Sequence, residues 1–214
     1  QRLQLWRGSR LVPRNLWYGE DALGQATGAA RFLRDCVAAS GAYAVLYAAW
    51  HAMNGVLETE DLRNGSDRVF WPYFPHAVKL LVAWLIGWRS IPALLPATSL
   101  HGFYLWDLHG MTAAEALGFA VMSASAAYLA FETFKVTRLD LYADSEMQIH
   151  WRRLLLVGGL ASVYNNLGIV LIADPSLRLR NEAVLVLNMS VADMLGLVLV
   201  LLALWVILKG LRQG

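Results

Sequence analysis

The sequence predicts an all-α protein: a polytopic transmembrane helical bundle of about six spans with both termini in the cytoplasm. Three observations predict it. The 214 residues are 57% hydrophobic, above the roughly 45–50% of soluble domains, and their mean hydropathy is +0.45. Apolar runs recur along most of the chain, at 33–57, 74–89, 91–106, 112–134, 153–173 and 184–208. Lys and Arg are unevenly shared between the segments that join them.

The first run follows a polar stretch with Arg2, Arg7, Arg10, Arg14 and Arg31. A secretory leader is not recognisable there, because no small-residue cleavage site follows the first apolar run. Residues 1–30 read as a cytoplasmic or interfacial segment in which Trp6, Trp17 and Tyr18 suit the headgroup layer. Residues 31–214 read as the bundle, with no Gly/Ser linker dividing it.

The next two runs are short. A bilayer core of ~30 Å needs ~20 apolar residues in a helix, and each of these has ~16. Gly87 permits a turn, Arg89 reaches the inner headgroups and Pro92 starts a returning helix. Residues 74–106 are therefore expected to form a helical hairpin with its corner at Gly87–Ile91. Pro72, Pro75, Pro92 and Pro96 fall at or near first turns, where a missing N–H costs little. The competing arrangement has four spans, with 74–106 re-entrant or interfacial. The last three runs are long enough to cross.

Orientation follows from the basic residues. The segment before the first run, the Arg89 corner, the 135–153 connection (Lys135, Arg138, Arg152, Arg153) and the tail (Lys209, Arg212) are basic. Residues 107–111 carry no Lys or Arg, 58–73 sets Arg63 and Arg68 against Glu58, Glu60, Asp61 and Asp67, and 174–183 carries Arg178 and Arg180, so these segments hold fewer Lys and Arg overall. The positive-inside rule puts the first group in the cytoplasm.

Several function classes are disfavoured. A net charge of +2 without a basic stripe gives no reason to expect nucleic acid. A lone Cys36 allows no internal disulfide, and its small apolar side chain suits a helix start. Nucleophile, phosphate-loop, zinc-protease and haem-attachment signatures are missing. No catalytic activity is expected.

What the chain carries instead is polar groups inside apolar runs, where they are costly. At 1.5 Å per residue, His51, Lys79, His101, Asn165, Asn166 and Asp193 lie roughly 8–13 Å in from the outer helix ends, with Asn188 above Asp193. Tyr43, Tyr47, His51 and Asn54 share one helix stripe, as do Gly158, Ser162 and Asn166, and Ser190 shares a face with Asp193. His76 and Lys79 are i, i+3 neighbours. Ser123, Ser125, Ala126, Ala127 and Ala130 form a small-residue surface suited to helix packing. A carboxylate at the depth of Asp193 must pair, protonate or meet water. Three readings are open: a structural network joining Lys79 to Asp193, a lined site for a ligand or proton, and Lys79 snorkelling to the outer surface.

Phe70-Trp71-Pro72, an apolar helix, Gly87-Trp88-Arg89, Pro92 and a further apolar helix resemble the opening helix pair of the first class of bacterial integral-membrane sensor domains. The resemblance covers about residues 70–106. It implies a multi-pass protein of the bacterial inner membrane that senses a signal. Those sensors have more spans and feed a cytoplasmic output domain, whereas these residues close on Gly214 soon after the last apolar run. The expected function is thus a non-catalytic, sensor-like or accessory subunit of a larger assembly, in contact with membrane lipids and a membrane-protein partner or a second copy. The alternatives are a small transporter or channel-like protein using the outer polar layer, and a haem- or metal-binding redox protein.

Overall fold

The computed structural model describes residues 28–57, 72–109, 112–143, 150–172 and 182–211. Among these, six α-helices and one 3₁₀ turn account for the regular structure, with no strand. They are α1 (Gly28–Leu57), α2 (Pro75–Ile86), the 3₁₀ turn (Gly87–Arg89), α3 (Ser90–His109), α4 (Ala113–Val136), α5 (Trp151–Ile172) and α6 (Glu182–Leu211). Most of the expected N-terminal segment, along with Trp6, Trp17 and Tyr18, lies outside the described residues, as do Phe70 and Trp71.

Among the described residues, four helical stretches are long and apolar enough to cross a membrane: Pro75–Tyr104, Ala113–Val136, Trp151–Ile172 and Val186–Leu211. The first is not one rod. Gly87 has φ +57°, a conformation costly for residues with a Cβ, and the chain reverses there. Tyr73, before α2, and His101, well into α3, both reach the hydroxyl of Tyr43 at 3.0 Å. On a straight helix these residues would stand about 40 Å apart. The expected hairpin is present, with unequal limbs of 12 and 20 residues. Its first limb ends at Ile86, earlier than the sequence reading placed it, because the Gly87 conformation breaks the helix.

Successive helices run antiparallel. Ser162 meets Asp193 and Asn166 meets Ser190, so α5 and α6 count in opposite directions. The start of α1 lies at the hairpin corner, where Asp35 is 3.5 Å from Arg89 and Arg89 sits over the Phe32 ring. Arg89 therefore ties the corner to α1, a contact that the headgroup assignment did not foresee. The connection after α4 closes the same end. The N–H of Ala143 donates to the Trp84 carbonyl at 3.2 Å, and Tyr142 stacks on Phe131 while its hydroxyl donates to Glu132 at 2.8 Å. Burial and this carboxylate push the Tyr142 hydroxyl well above the ordinary tyrosine range, so it remains a donor. Glu132 also forms an ion pair with Lys135, one turn on, at 3.8 Å.

α1, α3, α4, α5 and α6 pack in that order as an arc, and α2 fills the middle, touching every other described helix. Pro75 to Leu80 are all buried. Ala77, Leu80, Ala83 and Trp84 pack toward α4, α5 and α6, while Val78 packs with Ala93, Leu94 and Ala97 of α3 and Tyr43 of α1. A short helix enclosed in this way needs no amphipathic pattern to be stable. The outer faces are apolar, with Leu33, Val37, Leu100, Leu117, Leu171 and Leu202 among the exposed side chains.

Proline placement differs from expectation at one position. Pro96 is inside α3 rather than in its first turn. It has no N–H for the carbonyl one turn back, and helix geometry is disturbed beside it. Side chains from α1 face the affected carbonyls: Ser40 Oγ donates to the Ala93 oxygen at 2.8 Å, and Cys36 Sγ lies 3.9 Å from that of Pro92. The turn before Pro96 thus becomes a docking point for α1. At the start of α4, Thr112 and Glu115 form a capping box.

α6 approaches the backbone of the residues leading into α2 closely. The Tyr73 N–H donates to the Ala192 carbonyl at 2.9 Å, and a Cβ on Gly196 would come within 2.4 Å of the Tyr73 backbone carbon. Gly196→Ala is expected to destabilise the bundle by about 1–3 kcal/mol through overpacking. Gly41→Ala, with nothing within 4 Å of its Cβ position, should be neutral or slightly stabilising. Thermal unfolding of both variants in one detergent measures the contrast, and equal melting temperatures would contradict it.

Candidate functional site

The interior holds a continuous polar network across four helices. Lys79 comes from the middle of α2 and is 2% exposed. Its Nζ donates to Ser123 Oγ of α4 at 3.2 Å and to Asn165 Oδ1 of α5 at 3.1 Å. Asn165 Nδ2 donates to Asn166 Oδ1 at 3.1 Å. Asn166 Nδ2 then lies 3.2 Å from each of Ser162 Oγ, Ser190 Oγ and Asp193 Oδ2. Ser162 donates to the same Asp193 oxygen at 2.6 Å. Two amides therefore connect an ammonium to a carboxylate that it does not touch.

The local reasons are simple. A helix brings i, i+3 and i+4 residues to one face, so Ser162 and Asn166 point together at α6, and Ser190 and Asp193 answer them. Asn165, one position from Asn166, points around the helix toward α2. Small residues on α4 admit the lysine stem: Ser123, Ala124, Ala126, Ala127 and Ala130 are buried. The more exposed Ser125 folds back on its own helix and donates to the Val121 carbonyl. Each hydrogen bond here offsets part of the cost of taking charge out of water.

His76 closes the network on the α2 side. Its Nε2 lies 3.1 Å from the Gly158 carbonyl, and its Nδ1 lies 3.8 Å from Asp193 Oδ2 with no hydrogen-bond partner among the described residues. Beyond Lys79 comes a second group. Lys79 Nζ sits 5.9 Å from the Tyr73 ring centre, and the Tyr73 hydroxyl meets that of Tyr43, which also reaches His101 Nδ1. The stripe on α1 is visible as an aromatic ladder, Tyr43 on Tyr47 and Tyr47 on His51.

The candidates chosen from sequence therefore separate. Lys79, Asp193, Asn165 and Asn166 are brought together. His101 belongs to the neighbouring tyrosine group. His51 does not reach the network: it is exposed and hydrogen-bonds Tyr104 at 3.0 Å. Asn188 is half-buried and enters none of these hydrogen bonds, because it lies off the Ser190–Asp193 face of α6. Lys79 does not snorkel outward. Sequence reasoning noted the faces of Ser123, Ser162, Ser190 and His76 without including them in the layer. Tyr73 precedes its helix and gave no periodic signal. Among the described residues, no three His, Cys, Asp or Glu side chains gather as a metal would require.

No protein-family model, curated protein or solved structure matches the chain. The sensor resemblance consequently rests on the residues quoted for it.

Two cavities lie at the opposite, basic end. One of about 240 Å³ is lined by Trp84, Asp140, Tyr142, His150 and Arg153, and one of about 340 Å³ by Trp88, Tyr128, Glu132 and Lys135.

Lys79→Met and Asp193→Leu should each lower stability in detergent, by about 1–3 kcal/mol, since each leaves a buried charge or its donors unmatched. The double variant should lose less than the sum. Additive losses in a double-mutant cycle would show that the two charges do not depend on one another.

Proposed function

We propose that this chain is a non-catalytic, sensor-like or accessory subunit of a larger assembly in the bacterial inner membrane, crossing it six times with both termini cytoplasmic. The observation that carries the reading is the network from Lys79 to Asp193. It joins α2, α4, α5 and α6 through the chain's own side chains, so its polar groups bind helices to one another. Antiparallel packing supports an even number of passes. It sets the start of α1 and the end of α6 at the end that also holds Arg89, Lys135 and Arg153, which the positive-inside rule assigns to the cytoplasm. α2 would span only about 18 Å, and its enclosure by other helices makes that tolerable. The need for a partner is supported by α6, whose apolar window is 22% buried against 39–50% in the other three stretches.

One observation favours a second reading, a proton- or ion-handling membrane protein: the imidazole nitrogen of His76 is left unpartnered beside Asp193.

Reporter fusions after Gly110 and Gly214 should read outside and inside. A cytoplasmic signal after Gly110 would favour the four-span arrangement. Purification in mild detergent with mass spectrometry of associated proteins should recover a stoichiometric membrane partner or a second copy. Recovery of a lone monomer, with flux in proteoliposomes, would replace the accessory reading with the transporter reading.

A further inference from the structure

The protonation states around His76 are constrained by geometry. Its Nε2 lies 3.1 Å from the Gly158 carbonyl. A carbonyl only accepts, so Nε2 carries the hydrogen. In a neutral imidazole Nδ1 is then a lone pair. That lone pair lies 3.8 Å from Asp193 Oδ2, with the two side chains 1% and 5% exposed. It has no other partner among the described residues. Two acceptors facing one another out of water repel and leave one unsatisfied, whereas a single proton between them satisfies both. The distance exceeds the 2.7–3.2 Å or so of a hydrogen bond, and a small rotation of either side chain closes it.

We propose that His76 Nδ1 and Asp193 Oδ2 form a proton-binding site inside the bundle, with Lys79 as the competing cation. When the site is empty, the Asp193 charge is balanced by Lys79 through Asn166 and Asn165. A bound proton places an imidazolium beside the same oxygen and balances it locally, releasing the amide relay from that task. The switch therefore connects α2 to α5 and α6. The ionisable groups around His76 are few. Asp193 faces it from α6, and Lys79 is one turn on along α2. Tyr73, Tyr43 of α1 and His101 of α3 lie beyond Lys79. α4 and α5 present Ser123, Ser162, Asn165, Asn166 and the Gly158 carbonyl, which do not titrate. The inference rests on the bundle being embedded in a membrane, because lipid keeps water from supplying the missing hydrogen bond.

The test uses the full chain in lipid nanodiscs. Nitrogen-15 resonances of labelled histidine, assigned to His76 by difference from His76→Gln, are followed with pH together with the infrared band of protonated carboxyl groups. One proton should enter the pair, seen as an Nδ1–H on His76 or as an Asp193 carboxylic acid, and both signatures should vanish in Asp193→Asn. His76→Gln keeps an amide donor for the Gly158 carbonyl and should lose the carboxylic acid band as well, which covers the case where Asp193→Asn does not fold. Lys79→Met should move the midpoint up by about one pH unit, a tenfold gain in proton affinity. The proposal is overturned if wild-type His76 keeps a bare Nδ1 beside an ionised Asp193 throughout the folded pH range. It is also overturned if the carboxylic acid persists in His76→Gln, or if Lys79→Met shifts the midpoint down or not at all. None of these results alters reporter topology or partner recovery, so this site and the accessory reading can fail separately.

Discussion

The arrangement of this bundle depends on hiding the ammonium of Lys79. α2 is short and enclosed, and every other described helix touches it, so its one lysine has no route to either surface. A charge held there must find oxygen within reach of its stem. α4 supplies a serine among alanines, and α5 supplies an asparagine. The remaining imbalance passes through a second asparagine to the carboxylate on α6. Because lipid tails are as apolar as the side chains, a bundle in a membrane gains little from the hydrophobic effect between helices and relies on close packing and polar contacts. The network therefore sets which helices adjoin α2 and at what height, and His76, one turn from Lys79, is drawn to the same carboxylate.

Close packing depends on residues chosen for what they lack. Gly87 lacks a Cβ and lets the chain reverse with positive φ. Gly196 lacks one where the backbone before α2 crosses α6. Pro96 lacks a backbone donor, and the carbonyls it affects receive side chains from α1. In each case a missing group on one segment makes room, or leaves an acceptor, for a neighbour distant in sequence.

The two ends of the bundle differ in chemistry. The corner end collects Arg89, Asp35, Glu132, Lys135 and Tyr142 in ion pairs and a hydrogen bond. The opposite end carries an aromatic and imidazole ladder with His51 and Tyr104 at its exposed edge. Tyr73 links this end to the interior, meeting Tyr43 of the ladder on one side and lying close to Lys79 on the other.

The sequence by itself determined the helical runs and their approximate bounds, because apolar run length and the Gly87–Pro92 punctuation are local properties. It also marked Lys79, Asp193, Asn165 and Asn166, because polar groups inside apolar runs stand out against composition. Spacing along α5 and α6 implied the Ser162–Asn166 and Ser190–Asp193 faces, since helix periodicity is local too. Only the tertiary structure decided that Asn165 turns toward α2 while Asn166 turns toward α6, and that Lys79 reaches Asp193 through them without touching it. It also decided that His51 and Asn188 fall away from the layer and that His76 and Tyr73 join it or border it. Those choices depend on rotations of one helix against another. Depth along a helix is readable from residue number, but which neighbour a face meets is set by packing between segments far apart in the chain.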